Sequence, residues 1–501
     1  MVSTLPRRRG IGVFSLCCVL AMVVLPQPAQ GSTYEVQGHV GGKRTLVLLD
    51  TFTTIETHSL FFSGLAGRGH ELTYFLASSP DVLLSKYGEP LYDNLIFFAP
   101  GTSEFTSPSL DGAEGIVAFV EGGGNVLMAG EKGMSDLTRE IAGEFGVEFE
   151  KKRSVVQDHF SYAPGLDVSG RHWAVVSDGL VRNEKVLGRD AGRKGGVSPV
   201  VFKGVGVTVE SENVLAFPIL TGASSTYSAV PNKEIISSTA ASSFPMSLAN
   251  AGKALGLIVA VQARNNARVI VSGSLDFFSD AFFEHQLEGT GGKKVGNELV
   301  AQEMSKWGLG ERGILRATNV THHRADGSNP EHLLATIEKP DLPFSLFPDP
   351  ELNRQSLVYR IKDDIIYSLI IEEYDEEKGG WGPYQADDVQ LEFVMLDPHV
   401  RTFLECEKGT GRFWKLFKVP DTYGVFKFRI LYRRPGLSVL AVNTQVSVRP
   451  FNHDEYERFI FSAFPYYASA FSMMAGFLVF GVAFLYSKPK KAGGGKSTKK
   501  E

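Results

Sequence analysis

Residues 466–486 read YYASAFSMMAGFLVFGVAFLY, 21 positions without a charge. As a helix rising about 1.5 Å per residue, such a stretch is about 30 Å long, the thickness of a bilayer's hydrocarbon core. The run predicts a membrane-spanning helix, so the rest of the chain must fold as bodies tethered to a bilayer from their C-terminal side. Tyr466, Tyr467 and Tyr486 stand at its two ends, where amphipathic rings prefer the headgroup level, and Pro465 sits where a helix begins without losing a hydrogen bond. Lys488, Lys490, Lys491, Lys496, Lys499 and Lys500 follow, against a single Arg458 just before. That asymmetry predicts a cytosolic basic tail over 487–501 and everything upstream on the other side.

The other end agrees with this orientation. Arg7, Arg8 and Arg9, an apolar run over 11–25, Pro26, Pro28 and the small-residue site Ala29-Gln30-Gly31 have the three regions of a secretory signal peptide over 1–31, cleaved near Ser32. A single-pass type I protein is expected. Loss of the leader's three arginines takes the formal charge from −5 to −8, and setting aside the tail's six lysines and one glutamate leaves about −13 on the exported part. An acidic exported body argues against nucleic-acid binding. Cys17 and Cys18 leave with the leader, so Cys406 is alone and no intrachain disulfide is expected. Roughly 430 exported residues must then build cores from apolar packing, which implies two or three domains. Asn319-Val320-Thr321 is an N-glycosylation sequon and fits an exported loop.

From Arg44 the hydrophobic pattern alternates. Apolar strands are predicted over 45–49, 71–76 and 94–99, a helix over 56–67, then a helix over 110–120, a strand over 124–129 and a helix over 135–144. Alternation of this kind means a parallel sheet covered by helices, an α/β unit of the doubly wound kind. Over 151–251 the periodicity fades into short β-like runs such as 205–209 and 214–219. Apolar strands return at 256–262 and 268–272, predicted to rejoin the same sheet, so 151–251 reads as an insertion in one domain over 32–310. After the sequon, short alternating segments recur with turn residues between them and no helices. They predict a β-sandwich of the immunoglobulin-like kind over 311–449, followed by an aromatic, charged neck over 450–465.

Open α/β sheets bind ligands beyond the carboxyl ends of their strands, which points to Asp50-Thr51-Phe52 and Pro100-Gly101-Thr102; ordinary strand-to-helix turns explain the same residues. Gly122-Gly123-Gly124 precedes a strand, the wrong side for a phosphate loop. Gly495-Lys496-Ser497 mimics the end of a nucleotide loop, but Lys490 stands where its first glycine belongs. No G-x-S-x-G elbow is present, and Gly273-Ser274 lacks the second glycine. His322-His323 reads as a loop without metal-ligand spacing, and the acidic run 372–377 lacks the pattern of a calcium loop and reads as a solvated hairpin tip. Asp363-Asp364 and Asp387-Asp388 read as turns. No catalytic residue, cofactor site or metal site is expected. In the membrane helix, Ala468, Ser472 and Gly476 recur at four-residue spacing, a stripe on which another helix packs closely, or a chance arrangement facing lipid.

Four strings carry a family resemblance: 44–100 (beginning RTLVLLDTFTT), 347–363 (FPDPELNRQSLVYRIKD), 387–404 (DDVQLEFVMLDPHVRTFL) and 444–474 (beginning TQVSVRPFNHDEYERF). Together they closely resemble the Wbp-type accessory subunits of the eukaryotic oligosaccharyltransferase. The resemblance implies a subunit of the endoplasmic reticulum complex that moves a preassembled oligosaccharide from dolichyl diphosphate to Asn in N-x-S/T sequons. It implies, too, that catalysis belongs to another, polytopic subunit, a partner together with the complex's other accessory subunits. It further implies a first domain like a class I glutamine amidotransferase without its catalytic cysteine, and none stands in that part of this sequence. One departure concerns retrieval: a strict dilysine signal has lysines third and fourth from the end, and here Thr498 occupies the fourth place. Two other classes compete with the resemblance, a lumenal hydrolase of amidotransferase type and a cell-surface type I receptor for glycated ligands. The first requires a nucleophile at the sheet's carboxyl edge, the second a processed glycan at Asn319.

Overall fold

The computed structural model describes residues 41–167, 170–192, 197–209, 213–230, 251–287, 293–327, 331–332, 357–376, 378–456 and 458–488. The expected leader over 1–31 and nearly all of the tail over 487–501, with its Gly495-Lys496-Ser497 fragment, lie outside these residues.

A ten-stranded mixed sheet forms the first unit. Five parallel strands run in the order Glu71–Leu76, Arg44–Leu49, Asn94–Phe98, Asn125–Ala129 and Arg268–Ser272. Gly256–Gln262 then pairs antiparallel with the last of these, and Ala216–Thr221 with Gly256–Gln262. The strands are apolar on both faces because both faces are covered. Val47 and Leu49 enter one core with Phe61, Leu65, Val300, Met304 and Trp307, from the helices Ser59–Gly67 and Asn297–Gly308. Leu46 and Leu48 enter the other, against Ile116, Phe119, Leu137 and Ile141 from the helices Gly112–Glu121 and Asp136–Glu144. Ser135 caps the latter helix, its side chain accepting from Thr138 N at 3.2 Å.

Two departures from the sequence reading have physical causes. The helix expected over 56–67 is two, Thr53–Thr57 and Ser59–Gly67, broken at His58 (φ −122°). The carboxylate of Asp280 accepts from Ser59 N (3.0 Å) and Leu60 N (2.9 Å), so the second helix starts on a cap that arrives from a distant part of the chain. Within 151–251, Gly179–Leu180, Val207–Val209 and Ala216–Thr221 return to the main sheet, while Val175–Ser177 with Val200–Phe202 and Val155–Gln157 with Tyr227–Ala229 form two separate two-stranded sheets, and Glu184–Gly192 is helical.

The second unit is a β-sandwich. One sheet holds Leu315–Arg324, Asp364–Asp375, Gly380–Pro383, Arg412–Lys418 and Glu405–Glu407; the other runs Glu331–His332, Leu357–Arg360, Leu440–Arg449, Gly424–Tyr432, Gln390–Val394 and Pro398–Phe403. Their inner faces meet in one aromatic core, in which Tyr367 stacks on Phe428 (5.0 Å between centroids) and Phe393 on Phe426 (4.5 Å). His322 and His323 lie in the strand Leu315–Arg324 and not in a loop. The acidic residues 372–375 close the long strand Asp364–Asp375, which turns back to pair with Gly380–Pro383 as the expected hairpin, but they are half-buried and not a solvated tip.

The chain leaves the sandwich through a short neck. Arg449 grips Glu455 through two bonds of 2.6 and 2.8 Å, and the Arg360 guanidinium lies 5.3 Å above the Phe451 ring. The helix Phe464–Tyr486 then begins with Pro465 in its first turn. With its preceding turn it spans Phe461–Tyr486, has a mean hydropathy of 2.0 and an apolar stretch with no buried residue, long and apolar enough to cross a membrane.

Candidate functional site

At the carboxyl edge of the parallel strands, the Asp50 carboxylate accepts from Gly101 N (2.8 Å) and Thr102 Oγ1 (2.7 Å). Asp50 thus ties two neighbouring turns together, the use that ordinary turn residues have. Burial, then Asp276 and Asp50, raise the Glu131 pKa, with Lys203 opposing from its 2.8 Å pair with Asp276. Ser274 Oγ donates to Lys203 O (2.6 Å) and accepts from Phe277 N (3.1 Å), so its hydroxyl is engaged in holding the turn. Nearby, His58 Nε2 is bonded to Leu275 O at 3.2 Å, and burial lowers its pKa. Among the described residues no group of His, Cys, Asp and Glu is arranged to hold a metal ion, and the one described cysteine, Cys406, is in the sandwich.

The densest polar construction lies instead where the two units meet. Trp307, fully buried at the end of its helix, donates from Nε1 to Gly436 O (2.9 Å), across to the sandwich. Arg268, fully buried beside it, donates to Trp307 O (2.6 Å), Arg312 O (2.5 Å) and Gly313 O (3.0 Å). Burial drags its pKa down to about 9. Gly313 sits at φ +70°, and a Cβ there would run into the Gly436 carbonyl, so this turn admits glycine only. Asn266 exchanges bonds with Val439, and Gln262 Nε2 donates to Leu437 O.

An ionic knot flanks these contacts. Glu303 pairs with Lys306 (2.7 Å) and Arg312 (2.6 Å), while Glu376, from the sandwich, pairs with the same Lys306 (3.1 Å) and with Arg312. Burial alone lowers the pKa of Lys306 and Arg312, but the two glutamates outweigh it and the net direction is upward. Lys185 reaches Glu373 at 2.6 Å. The acidic run that reads as a solvated tip is therefore half of a joint, and its partners lie 60 to 190 residues upstream, where no local pattern announces them. A cleft of about 840 Å³ opens beside the joint, at the amino ends of the strands, lined by Tyr92, Phe119, Gly123, Asn125 and Asn266 among others. Asn125 Nδ2 is spent on Asn94 Oδ1 (3.0 Å), so its amide holds the sheet edge together.

Asn319 is exposed on the edge strand Leu315–Arg324, at a bulge between Thr318 and Thr321 and at φ +49°. The bulge leaves it outside the ladder, and Thr321 Oγ1 lies 2.7 Å from Ser368 Oγ. Ala468, Ser472 and Gly476 are all exposed on the terminal helix, and nothing lies within 4 Å of a Cβ built on Gly476.

An α/β unit locked to a β-sandwich that ends, among the described residues, in one apolar helix long enough to cross a membrane defines a class of sheet-built proteins with a candidate C-terminal anchor. Within it, the family described as OST48 matches twice, its N-terminal domain over 37–311 and its middle domain over 349–488, and the chain belongs to this family. A relative in Danio rerio, described as the dolichyl-diphosphooligosaccharide–protein glycosyltransferase 48 kDa subunit, is 42% identical over 465 residues, 91% of this chain and 94% of its own. Proteins of the same description match from Drosophila melanogaster (41%, 90% and 92% covered) and Arabidopsis thaliana (39%, 89% and 93%). Among solved structures, a carbohydrate deacetylase matches at 12% identity and a TM-score of 0.25, over 46% of this chain and 29% of its own, too slight a likeness to argue from.

Proposed function

We propose that this chain is a non-catalytic accessory subunit of the oligosaccharyltransferase complex, which transfers a preassembled oligosaccharide from dolichyl diphosphate to Asn of N-x-S/T sequons in nascent proteins. The observation that carries this reading is identity of 39–42% to proteins of that description across about nine-tenths of both chains. Full-length similarity of this kind speaks for the role of the whole protein and not for one borrowed domain. The polar side chains at the carboxyl edge and at the joint are bonded within the fold, which suits a subunit that holds others in place. Catalysis then belongs to a polytopic partner subunit.

The same reading sets the topology. The chain is single-pass and type I in the endoplasmic reticulum membrane, with its sheets in the lumen and the lysine-rich tail in the cytosol. Its domains are an α/β unit over 32–310, a β-sandwich over 311–449, a neck over 450–465, a membrane helix over 466–486 and a tail over 487–501. We read the α/β unit as a class I glutamine amidotransferase-like fold that has lost its nucleophile, since no cysteine stands between Cys18 and Cys406. Ala468, Ser472 and Gly476 form the face on which a partner's helix packs, and Asn319 carries a glycan.

Depletion of the chain from cells tests the role. Under-glycosylation of unrelated sequon-bearing proteins is the expected result, and unchanged glycosylation of all of them would sink the proposal. Endoglycosidase treatment addresses the receptor alternative: a glycan at Asn319 that stays high-mannose fits a resident of the endoplasmic reticulum.

A further inference from the structure

The two ends of the β-sandwich differ. At one lie 433–439 and Glu373–Glu376, which meet the α/β unit. The strand registers define the other. Gly424 pairs with Val448 and Val394 with Lys427, so the turns 395–397 and 419–423 share the end at which Leu440–Arg449 runs out toward the terminal helix. Met395 closes the pair of turns, its sulfur 2.8 Å from where a Gly424 Cβ would sit.

This end is held close to the helix. Glu455 is clamped to the sandwich by Arg449, by Asn452 N (2.8 Å) and by Arg360 (3.6 Å), while Phe459 stacks on Tyr467 of the helix with 5.7 Å between centroids. Three residues lie between Glu455 and Phe459, a span of at most about 14 Å of chain. Tyr467 stands in the opening turns of the helix, where aromatic rings mark the headgroup level. No slack linker remains to lift the sandwich away from the bilayer. At this end, Leu396 is 91% exposed and Tyr423 68% exposed, each at a turn tip. Lys362 and Lys418, also open to solvent, stand with them, paired with Asp421 (3.0 Å) and Asp364 (3.9 Å), so this end carries charges of both signs around the two apolar tips.

We propose that Leu396 and Tyr423 enter the interface of the same bilayer that the terminal helix crosses, giving the sandwich a second lipid contact beside its anchor. The inference rests on the reading of 466–486 as membrane-spanning. Its occupant is the lipid surface because the tips are continuous, through the clamped neck, with the helix that enters it. Two membrane contacts fix the tilt of the lumenal units, which one helix on a flexible neck would leave free.

The test uses the chain freed of its leader, and so of Cys17 and Cys18, in phosphatidylcholine vesicles that contain headgroup-nitroxide lipids. Single cysteines at Leu396→Cys, Tyr423→Cys, Phe461→Cys and Leu431→Cys, each with Cys406→Ser, carry an environment-sensitive fluorophore. Leu431 is exposed on the same strand as Gly424 but at the end that faces the α/β unit. Quenching at Leu396 and Tyr423 close to that at Phe461, and at least about twofold above Leu431, is expected for groups at the interface. Quenching at Phe461 alone would overturn the second contact and leave the anchor intact. No quenching at any of the four would overturn the anchor reading and this inference with it. A label at Leu396 that responds only when other subunits are added, with no lipid quenching, assigns the tips to a protein partner and also overturns it. Tyr423→Trp with brominated lipids repeats the measurement with a conservative change.

Discussion

Acid should loosen the sandwich through one residue, His322. Its ring stacks on Phe428 with 5.1 Å between centroids, and Nδ1 lies 2.6 Å from Tyr359 Oη. Burial, and then the neighbouring His323, push its pKa down to about 4. The unfolded chain titrates near 6.5, so between pH 6.5 and 4 it binds a proton that the folded chain refuses. Stability from this group is therefore complete above about pH 6.5, falls as the pH drops toward 4, and changes no further below that. A shift of this size corresponds to about 3 kcal/mol at full burial, and the residue keeps some exposed surface, so about 1–2 kcal/mol is expected. His322→Gln keeps a partner for Tyr359 and removes the titration. The assay is urea unfolding of the detergent-solubilised full chain at pH 7.5 and at pH 4.5, followed by tryptophan fluorescence, with wild type and variant compared at each pH. The native protein should lose about 1–2 kcal/mol more than the variant on acidification. Equal losses would refute the assignment of a neutral, half-buried His322. Glu455 does not confuse the result, because Arg449, through its hydrogen bond, holds its pKa down to about 2. Its contribution is present above about pH 4.5 and is lost only as the pH falls further toward 2.

Three further outcomes are expected. Trp307→Ala removes a fully buried ring and the bond to Gly436 O, and should cost about 3–5 kcal/mol; limited proteolysis should then cut between the two units, and an uncut joint would contradict its role. Gly476→Leu fills the small-residue stripe and should lower the yield of intact complex in mild detergent, with unchanged recovery counting against that face. Asn319→Gln should abolish an endoglycosidase-sensitive mobility shift and leave folding intact, because Asn319 is exposed at a bulge; absence of any shift in the native chain would show the site to be empty.

The core of the main sheet was legible because its strands are buried on both faces, so that 45–49, 94–98, 256–262 and 268–272 read as apolar runs. The sandwich announced itself by alternation, with Phe426, Phe428 and Ile430 inward and Lys427, Arg429 and Leu431 outward. What stayed hidden depends on partners distant in sequence. The break at His58 follows from a cap by Asp280, and the acidic run 372–377 finds its cations at Lys185, Lys306 and Arg312. His322 and His323 looked like a loop because two polar rings in a row hide a strand whose Tyr359 and Phe428 neighbours come later in the chain. The membrane helix was plain from its apolar length, but which of its faces meets another helix is a property of that second helix.

The central claim is membership in a transferring complex, and one purification addresses it directly. The full chain, tagged on its tail and isolated in mild detergent, is examined by mass spectrometry for co-purifying chains and assayed for oligosaccharide transfer from a dolichyl diphosphate donor to an acceptor peptide bearing N-x-S/T. A polytopic subunit and transfer activity that follow the tag, together with loss of that activity from depleted cells, are the predicted result. A chain that purifies alone, without transfer activity, would contradict the account.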